Sequence, residues 1–280
     1  MRLLIGLDRR EGGRDALELA RVLCGDRGGS ALVATVLYSD PLLLEYAQLP
    51  EGEAQEALPL FEQARETLGG IEVETRAYGG SSPAAILTAL AEEDGFDAIV
   101  VGSPHRGAIG RVLAGSTAIN LLNGAPADVA VAPTGYAEAR HESPRRIAVG
   151  YDGTPEARLA LRHAEALALP AGAALEIITV VQPPVTTPVM APGAYLPELP
   201  PRPEKVMSDI LAAVDQSLSA EATRRDGDPA SEIVRACEEG VDLLVVGSRG
   251  SGPLKRVLLG SVSRQLVCKA TCPVLVVRRP

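Results

Sequence analysis

The 280-residue chain has no tryptophan, and aromatic residues make up only 3% of it. A core without large rings must be built from Ala, Val, Leu and Ile, which suits helices packed closely on a parallel sheet. Histidine is almost as scarce: His105, His141 and His163 form no recognisable catalytic set. None of the four cysteines, Cys24, Cys237, Cys268 and Cys272, makes a C-x-x-C pair, and no histidine cluster completes a zinc site. They read as core or partly buried thiols of a reducing compartment. No apolar run approaches the ~18 residues that a membrane span needs. The opening MRLLIGLDRREGG turns charged too soon for a signal peptide and reads as a first strand. Basic charge is short as well. A formal net charge of −9 argues against general binding to nucleic acid or to an anionic membrane.

What the chain has instead is an alternation of strand and helix, given twice. In the first half, Arg2–Leu7 is a buried strand ending in Asp8, and Asp15–Cys24 is a helix that Asp15 could cap. Ser30–Tyr38, Ile71–Ala77, Asp97–Gly102 and Val129–Pro133 are further strands. Asp40–Pro59 is irregular, and Leu60–Leu68 looks like the end of a helix. Ser82 caps a helix with Pro83 at its first position, and Gly115-Ser116 opens another. Thr134–Arg145 is a polar linker. The pattern then restarts with Arg146–Gly150, followed by a helix over Glu156–Leu169 and a strand over Ala174–Val181. Gln182–Pro203 is Pro-dense. Lys205–Ser219 is helical, Pro229 opens a helix, and Asp242–Gly247 and Pro273–Arg278 are strands. A third strand near Glu221–Arg225 is inferred from the first half alone. Asp8 and Asp152 lie 144 residues apart; Asp97 and Asp242, Gly102 and Gly247, Gly115 and Gly260, and Val129 and Val274 lie 145 apart. Such constancy marks a duplication, each copy predicting a parallel sheet covered by helices on both faces.

The chemistry concentrates in Leu243–Ser263, LLVVGSRGSGPLKRVLLGSVS. Ligands of open parallel sheets bind beyond the carboxyl ends of the strands, where the strand order reverses. There Gly247, Gly250 and Gly252 permit positive φ and remove the Cβ atoms that would block a phosphate. Gly260-Ser261 starts a helix whose free amides favour an anion. The Ser261 and Ser263 hydroxyls add donors, and Arg249, Lys255 and Arg256 add positive charge. Each feature also has a plain reading: glycine as turn chemistry, Asp152 as a helix N-cap. Ile99–Ala118, IVVGSPHRGAIGRVLAGSTA, is the first-half counterpart. There is no G-x-x-x-x-G-K-[ST], no G-x-G-x-x-G after a first strand, no nucleophile elbow and no H-E-x-x-H.

Gly247-x2-Gly250-x9-Gly260-Ser261 agrees at every fixed position with the motif G-x2-G-x9-G-[ST], and in this the chain resembles the universal stress protein family. Both halves look like such domains, residues 1–140 and 141–280, as in the tandem type. The resemblance implies an α/β fold of two flavodoxin-like (Rossmann-like) domains. Each would be a five-stranded parallel sheet of order 3-2-1-4-5 with helices on both faces. It implies ATP or another adenine nucleotide accompanied by Mg²⁺, a cytoplasmic location, and a regulatory role in stress without robust turnover.

Carried over residue by residue, Gly150, Tyr151 and Asp152 would line the adenosine end and Val180 would flank the adenine. Val246, Gly247, Arg249 and Gly250 would hold the phosphates, completed by Gly260, Ser261, Val262 and Ser263. The first-half counterparts are Asp8, Val101, Gly102, His105, Gly115, Ser116 and Thr117. That half departs from the pattern: His105, preceded by Pro104, stands where the second motif glycine belongs. Members of the family pair through their fifth strands. Val129–Pro133 and Val274–Arg278 would therefore pair within one chain as an internal pseudo-dimer, which leaves room for a further homodimer. A nucleotide-independent interaction protein of the same fold and a slow ATPase are the rival readings. The Pro-dense loop reads as a lid, a partner-binding arm or a plain surface connection.

Overall fold

The computed structural model describes residues 1–8, 11–25, 28–37, 47–50, 52, 54–103, 105–106, 112–113, 115–182, 203–248 and 260–279, with backbone alone at 11, 105–106, 112–113 and 203–206. The first half runs β1 (Arg2–Leu7), α1 (Glu11–Cys24), β2 (Ser30–Leu37), α2 (Leu58–Thr67), β3 (Glu72–Gly79), α3 (Pro83–Asp94) and β4 (Ala98–Gly102). A short hairpin of β5 (His105–Arg106) and β6 (Val112–Leu113) follows, then α4 (Ser116–Leu122) and β7 (Asp128–Ala132). The second half runs β8 (Arg146–Gly150), α5 (Pro155–Ala171), β9 (Ala174–Val181), α6 (Pro203–Ala213) and β10 (Ala220–Asp226). It closes with α7 (Pro229–Glu238), β11 (Leu243–Gly247), α8 (Ser261–Lys269) and β12 (Val274–Val277).

The strands are short and apolar because both of their faces are covered. Leu3, Leu4 and Ile5 of β1 are fully buried, as are Ile147, Ala148 and Val149 of β8. All the long strands join one ten-stranded sheet of order β10-β9-β8-β11-β12-β7-β4-β1-β2-β3. Each half therefore has the order 3-2-1-4-5, with parallel neighbours throughout. The halves meet where β12 runs antiparallel to β7, with Val274, Leu275 and Val276 opposite Val131, Ala130 and Val129. The expected fifth-strand pairing is thus present. It makes one sheet in which the two sets of carboxyl ends point in opposite directions. One continuous core under α1, α2, α5 and α6 lies on one face. A second, under α3, α4, α7 and α8, lies on the other.

Local chemistry sets the helix starts. The Ser82 hydroxyl accepts from the Ala85 amide at 3.4 Å, Thr154 from Ala157 at 3.2 Å, and Asp228 from Ser231 at 3.0 Å, each just before a proline at the helix start. The third strand of the second half is present as β10, on the sheet edge. Its charged residues, Glu221, Arg224 and Arg225, suit an edge strand exposed along much of its length. Cys24, Cys237 and Cys272 are buried and Cys268 partly so, all as free thiols. The neighbouring Cys237 thiol, followed by burial, pushes the Cys272 thiol well above its ordinary range. Among the described residues, no helix is long and apolar enough to cross a membrane.

Two expectations are corrected. Asp15 does not cap α1. It lies inside the helix, nearly fully buried, and its carboxylate accepts from the Gly135 and Ala137 amides at 2.9 and 2.7 Å. A buried carboxylate needs such donors, and the linker supplies them. The linker is accordingly docked, not loose. Glu18 accepts from the His141 amide at 2.7 Å and from Arg21 at 2.7 and 2.9 Å, and the His141 ring stacks on Tyr136 at 3.9 Å. Burial pushes the Glu18 carboxyl up, but Arg21 and the His141 amide outweigh it and hold the group below the ordinary range. The helix expected over Lys205–Ser219 ends instead at Ala213. There the Asp215 carboxylate turns the chain by accepting from the Ser217 amide and hydroxyl at 2.9 and 2.6 Å.

Leu275, 3% exposed at the junction of the halves, tests whether the sheet acts as one unit. Leu275→Ala is expected to cost about 2–5 kcal/mol and to shift a single urea transition in which both halves unfold together. A first-half transition left in its wild-type place would contradict this.

Candidate functional site

At the switch point of the first half, β1 and β4 lie side by side and open a crevice toward the α3 and α4 face. Six of the seven first-half residues singled out from the sequence, Asp8, Val101, Gly102, Gly115, Ser116 and Thr117, line one cavity there of about 360 Å³. That volume lies within the range of roughly 300–1,000 Å³ usual for small-molecule sites. The seventh, His105, enters β5 with its backbone opposite Leu113; its side chain lies outside the described residues.

The second half repeats this register. A Cβ on Gly150 would meet Val246 and Ile233 at 3.2 and 3.3 Å, while one on Gly6 would meet Leu87 and Val101 at 2.7 and 3.1 Å. Val180 and Val262 pack toward the α7 and α8 side, which corresponds to the side of the first-half cavity. Tyr151 does not. Strand alternation turns its side chain to the opposite core. Asp152 is exposed and accepts from the Thr154 amide and hydroxyl at 3.1 and 2.6 Å. Its role in the chain is thus to hold the capping residue; the cap itself is Thr154. Ser261 is exposed at the first position of α8, after Gly260. Arg249 and Gly250 lie outside the described residues, as do Gly252, Lys255, Arg256 and residues 183–202.

The first motif glycine has a different reason from the one its sequence suggests. Neither Gly102 nor Gly247 has positive φ. A Cβ on Gly102 would sit 1.9 Å from the Gly12 carbonyl oxygen, and one on Gly247 would sit 2.8 Å from the Glu156 carbonyl oxygen. Gly12 and Glu156 are equivalent positions, 144 residues apart, in the first turns of α1 and α5. In both halves, then, the backbone of the first helix rests on the bare end of the fourth strand. The Ser263 hydroxyl likewise serves the chain, donating to the Gly247 carbonyl at 3.0 Å.

The family model for the universal stress proteins matches residues 1–133 and again residues 144–278. The chain belongs to the universal stress protein family. It is 30% identical to a universal stress protein of Mycolicibacterium smegmatis over 256 residues, covering 88% of this chain and 85% of that one. A universal stress protein of Mycobacterium tuberculosis is 28% identical over an aligned length of 301, covering 99% of each chain. Among solved structures, that of a universal stress protein from Archaeoglobus fulgidus has a TM-score of 0.68 at 22% identity, covering 100% of this chain and 98% of that one.

Several residues at or near these strand ends in this universal stress protein carry no motif signal. Val36 stands 144 residues before Val180 and lines the first-half cavity with Leu87 and Pro83; the offset between copies would have found it. Ser248, directly after Gly247, is 2% exposed, and its hydroxyl has no hydrogen-bond partner among the described residues. Removing an unsatisfied buried hydroxyl is nearly neutral or stabilising. Ser248→Ala is therefore expected to leave the ligand-free urea midpoint unchanged or to raise it, by up to about 1 kcal/mol of stability. Gly102→Ala and Gly247→Ala are expected to cost about 1–3 kcal/mol or more by overpacking in the same ligand-free assay, with Gly102→Ala the worse. Neutral glycine variants would contradict the close helix–strand approach.

Proposed function

We propose that this universal stress protein binds an adenine nucleotide, ATP in the first place, in its switch-point crevices and acts as a cytoplasmic regulator through the bound state. The observation that carries the reading is convergence in the first half. Six of the seven residues marked by motif position, Asp8, Val101, Gly102, Gly115, Ser116 and Thr117, line one cavity of about 360 Å³. The second half keeps the same strand ends and helix start together with the complete motif, which makes it the stronger site.

In this reading the base lies against Val180 and the adenosine end against the backbone of Gly150 and Tyr151. The phosphates sit at the start of α8, where Gly260 provides no side-chain cap to occupy the first amides. Asp152, the counterpart of the cavity-lining Asp8, would face the same crevice. Among the described residues no group of three or more His, Cys, Asp or Glu side chains is placed to hold a metal. Mg²⁺ would therefore be held chiefly by phosphate oxygens and water. The ion would neutralise phosphate charge.

One observation favours the rival reading of a nucleotide-independent interaction protein. Gly102 and Gly247 are required by packing alone, so their presence is no proof of a ligand. For the same reason, bulky substitutions at these glycines test folding before they test binding. Val36→Trp and Val180→Trp instead fill one crevice each from a partly buried position. The purified protein, denatured and chromatographed, is expected to release adenine nucleotide, and Val180→Trp to remove the larger share. Mg·ATP at about 100 times Kd should stabilise the emptied protein by roughly 2.7 kcal/mol. No released nucleotide and no thermal shift at millimolar Mg·ATP would favour the interaction protein.

A further inference from the structure

The pseudo-two-fold relation between the halves creates two equivalent grooves, each where the first helix of one half crosses the strand bases of the other. One lies between α1 and the bases of β11 and β12, near Asp242 and Pro273. The other lies between α5 and the bases of β4 and β7, near Asp97 and Asp128.

The grooves are lined differently. The linker crosses the first, and its amides at Gly135, Ala137 and His141 are satisfied by Asp15 and Glu18 of α1. Both grooves keep open space, about 480 Å³ beside the linker and about 510 Å³ in the second groove, so they differ in lining and not in size. At the positions equivalent to Asp15 and Glu18, 144 residues on, α5 carries Leu159 and Arg162. A peptide laid there would lose both acceptors for its N–H groups. A carboxylate would gain a donor.

The remaining polar groups agree with this preference. Asp128 and Asp97, the two acids of the cavity, are already engaged. Asp128 pairs with His163 at 2.9 Å and accepts from the Arg278 amide at 2.9 Å. Asp97 accepts from the Arg2 amide at 2.7 Å. The guanidinium groups of Arg162 and Arg278, both at the lining, make no ion pair or hydrogen bond with a described residue. The same cavity has an apolar lining that includes Leu23, Leu167, Leu275 and Phe96. Both arginines are exposed, and among the described residues neither guanidinium is neutralised by a carboxylate, so each is open to an anion at the rim of the apolar hollow.

We infer that this cavity binds a small amphipathic carboxylate, its head at Arg162 and Arg278 and its apolar body on the leucine lining. The site lies on the α1 and α5 face of the sheet, whereas the proposed nucleotide crevices lie on the α3, α4, α7 and α8 face.

Calorimetric titration of the full chain with octanoate and with octanol tests this. Octanoate is expected to bind at one site per chain, at least tenfold tighter than octanol. Arg162→Gln and Arg162→Glu should each weaken octanoate tenfold or more and leave octanol unchanged, with unaltered melting temperatures. Leu159→Trp, which fills the hollow, should abolish both. The inference fails if octanoate and octanol bind alike, if neither arginine variant changes octanoate binding, or if saturating Mg·ATP displaces octanoate competitively.

Discussion

The first helix of each half can cross its sheet where it does only because the fourth strand ends in a residue without a side chain. With Gly12 pressed on Gly102, and Glu156 on Gly247, the loop after the first strand is drawn to the end of the fourth. In the first half that close approach brings Asp8, Gly12 and Gly102 to the lining of one cavity. A motif glycine is easily credited to ligand contact. Here it serves the fold first, and a phosphate-sized space is a consequence of the crossing it permits.

The antiparallel joint between β7 and β12 governs the larger scale. It merges two five-stranded sheets into one and carries each core layer across the junction. It also turns the carboxyl strand ends of the two halves in opposite directions. The duplication is not symmetric in its chemistry, however. One inter-half groove is lined by the chain's own linker, held on Asp15 and Glu18. Its twin, where leucine and arginine replace those acids, is left with a hollow of different preference. Duplication followed by local change has thus separated two pairs of equivalent places.

Most of the fold was legible in the sequence because its strands end in glycine or aspartate and recur at an offset of 144 or 145. Buried parallel strands give the least ambiguous pattern, and Ser82-Pro83 announces its helix directly. β10 was legible only through its twin, since an edge strand with charged residues lacks an apolar run. The role of Asp15 was hidden because its partners lie 120 and 122 residues away. The reason for Gly102 was hidden similarly: close approach depends on a helix met from across the fold. Of the candidate site, the register of Asp8, Gly102, Gly115 and Ser116 was readable. The side-chain turn of Tyr151 away from the crevice required strand alternation to be followed past the end of β8.

Nucleotide binding in the switch-point crevices can be read residue by residue in an amide NMR titration of the nucleotide-free protein with Mg·ATP. Saturable shifts are expected at Gly150, Val180, Gly260 and Ser261, with weaker ones at Asp8, Val36 and Ser116, while Tyr136 and Leu275 stay in place. Absence of saturable shifts at both crevices, or shifts confined to the strand bases, would contradict it.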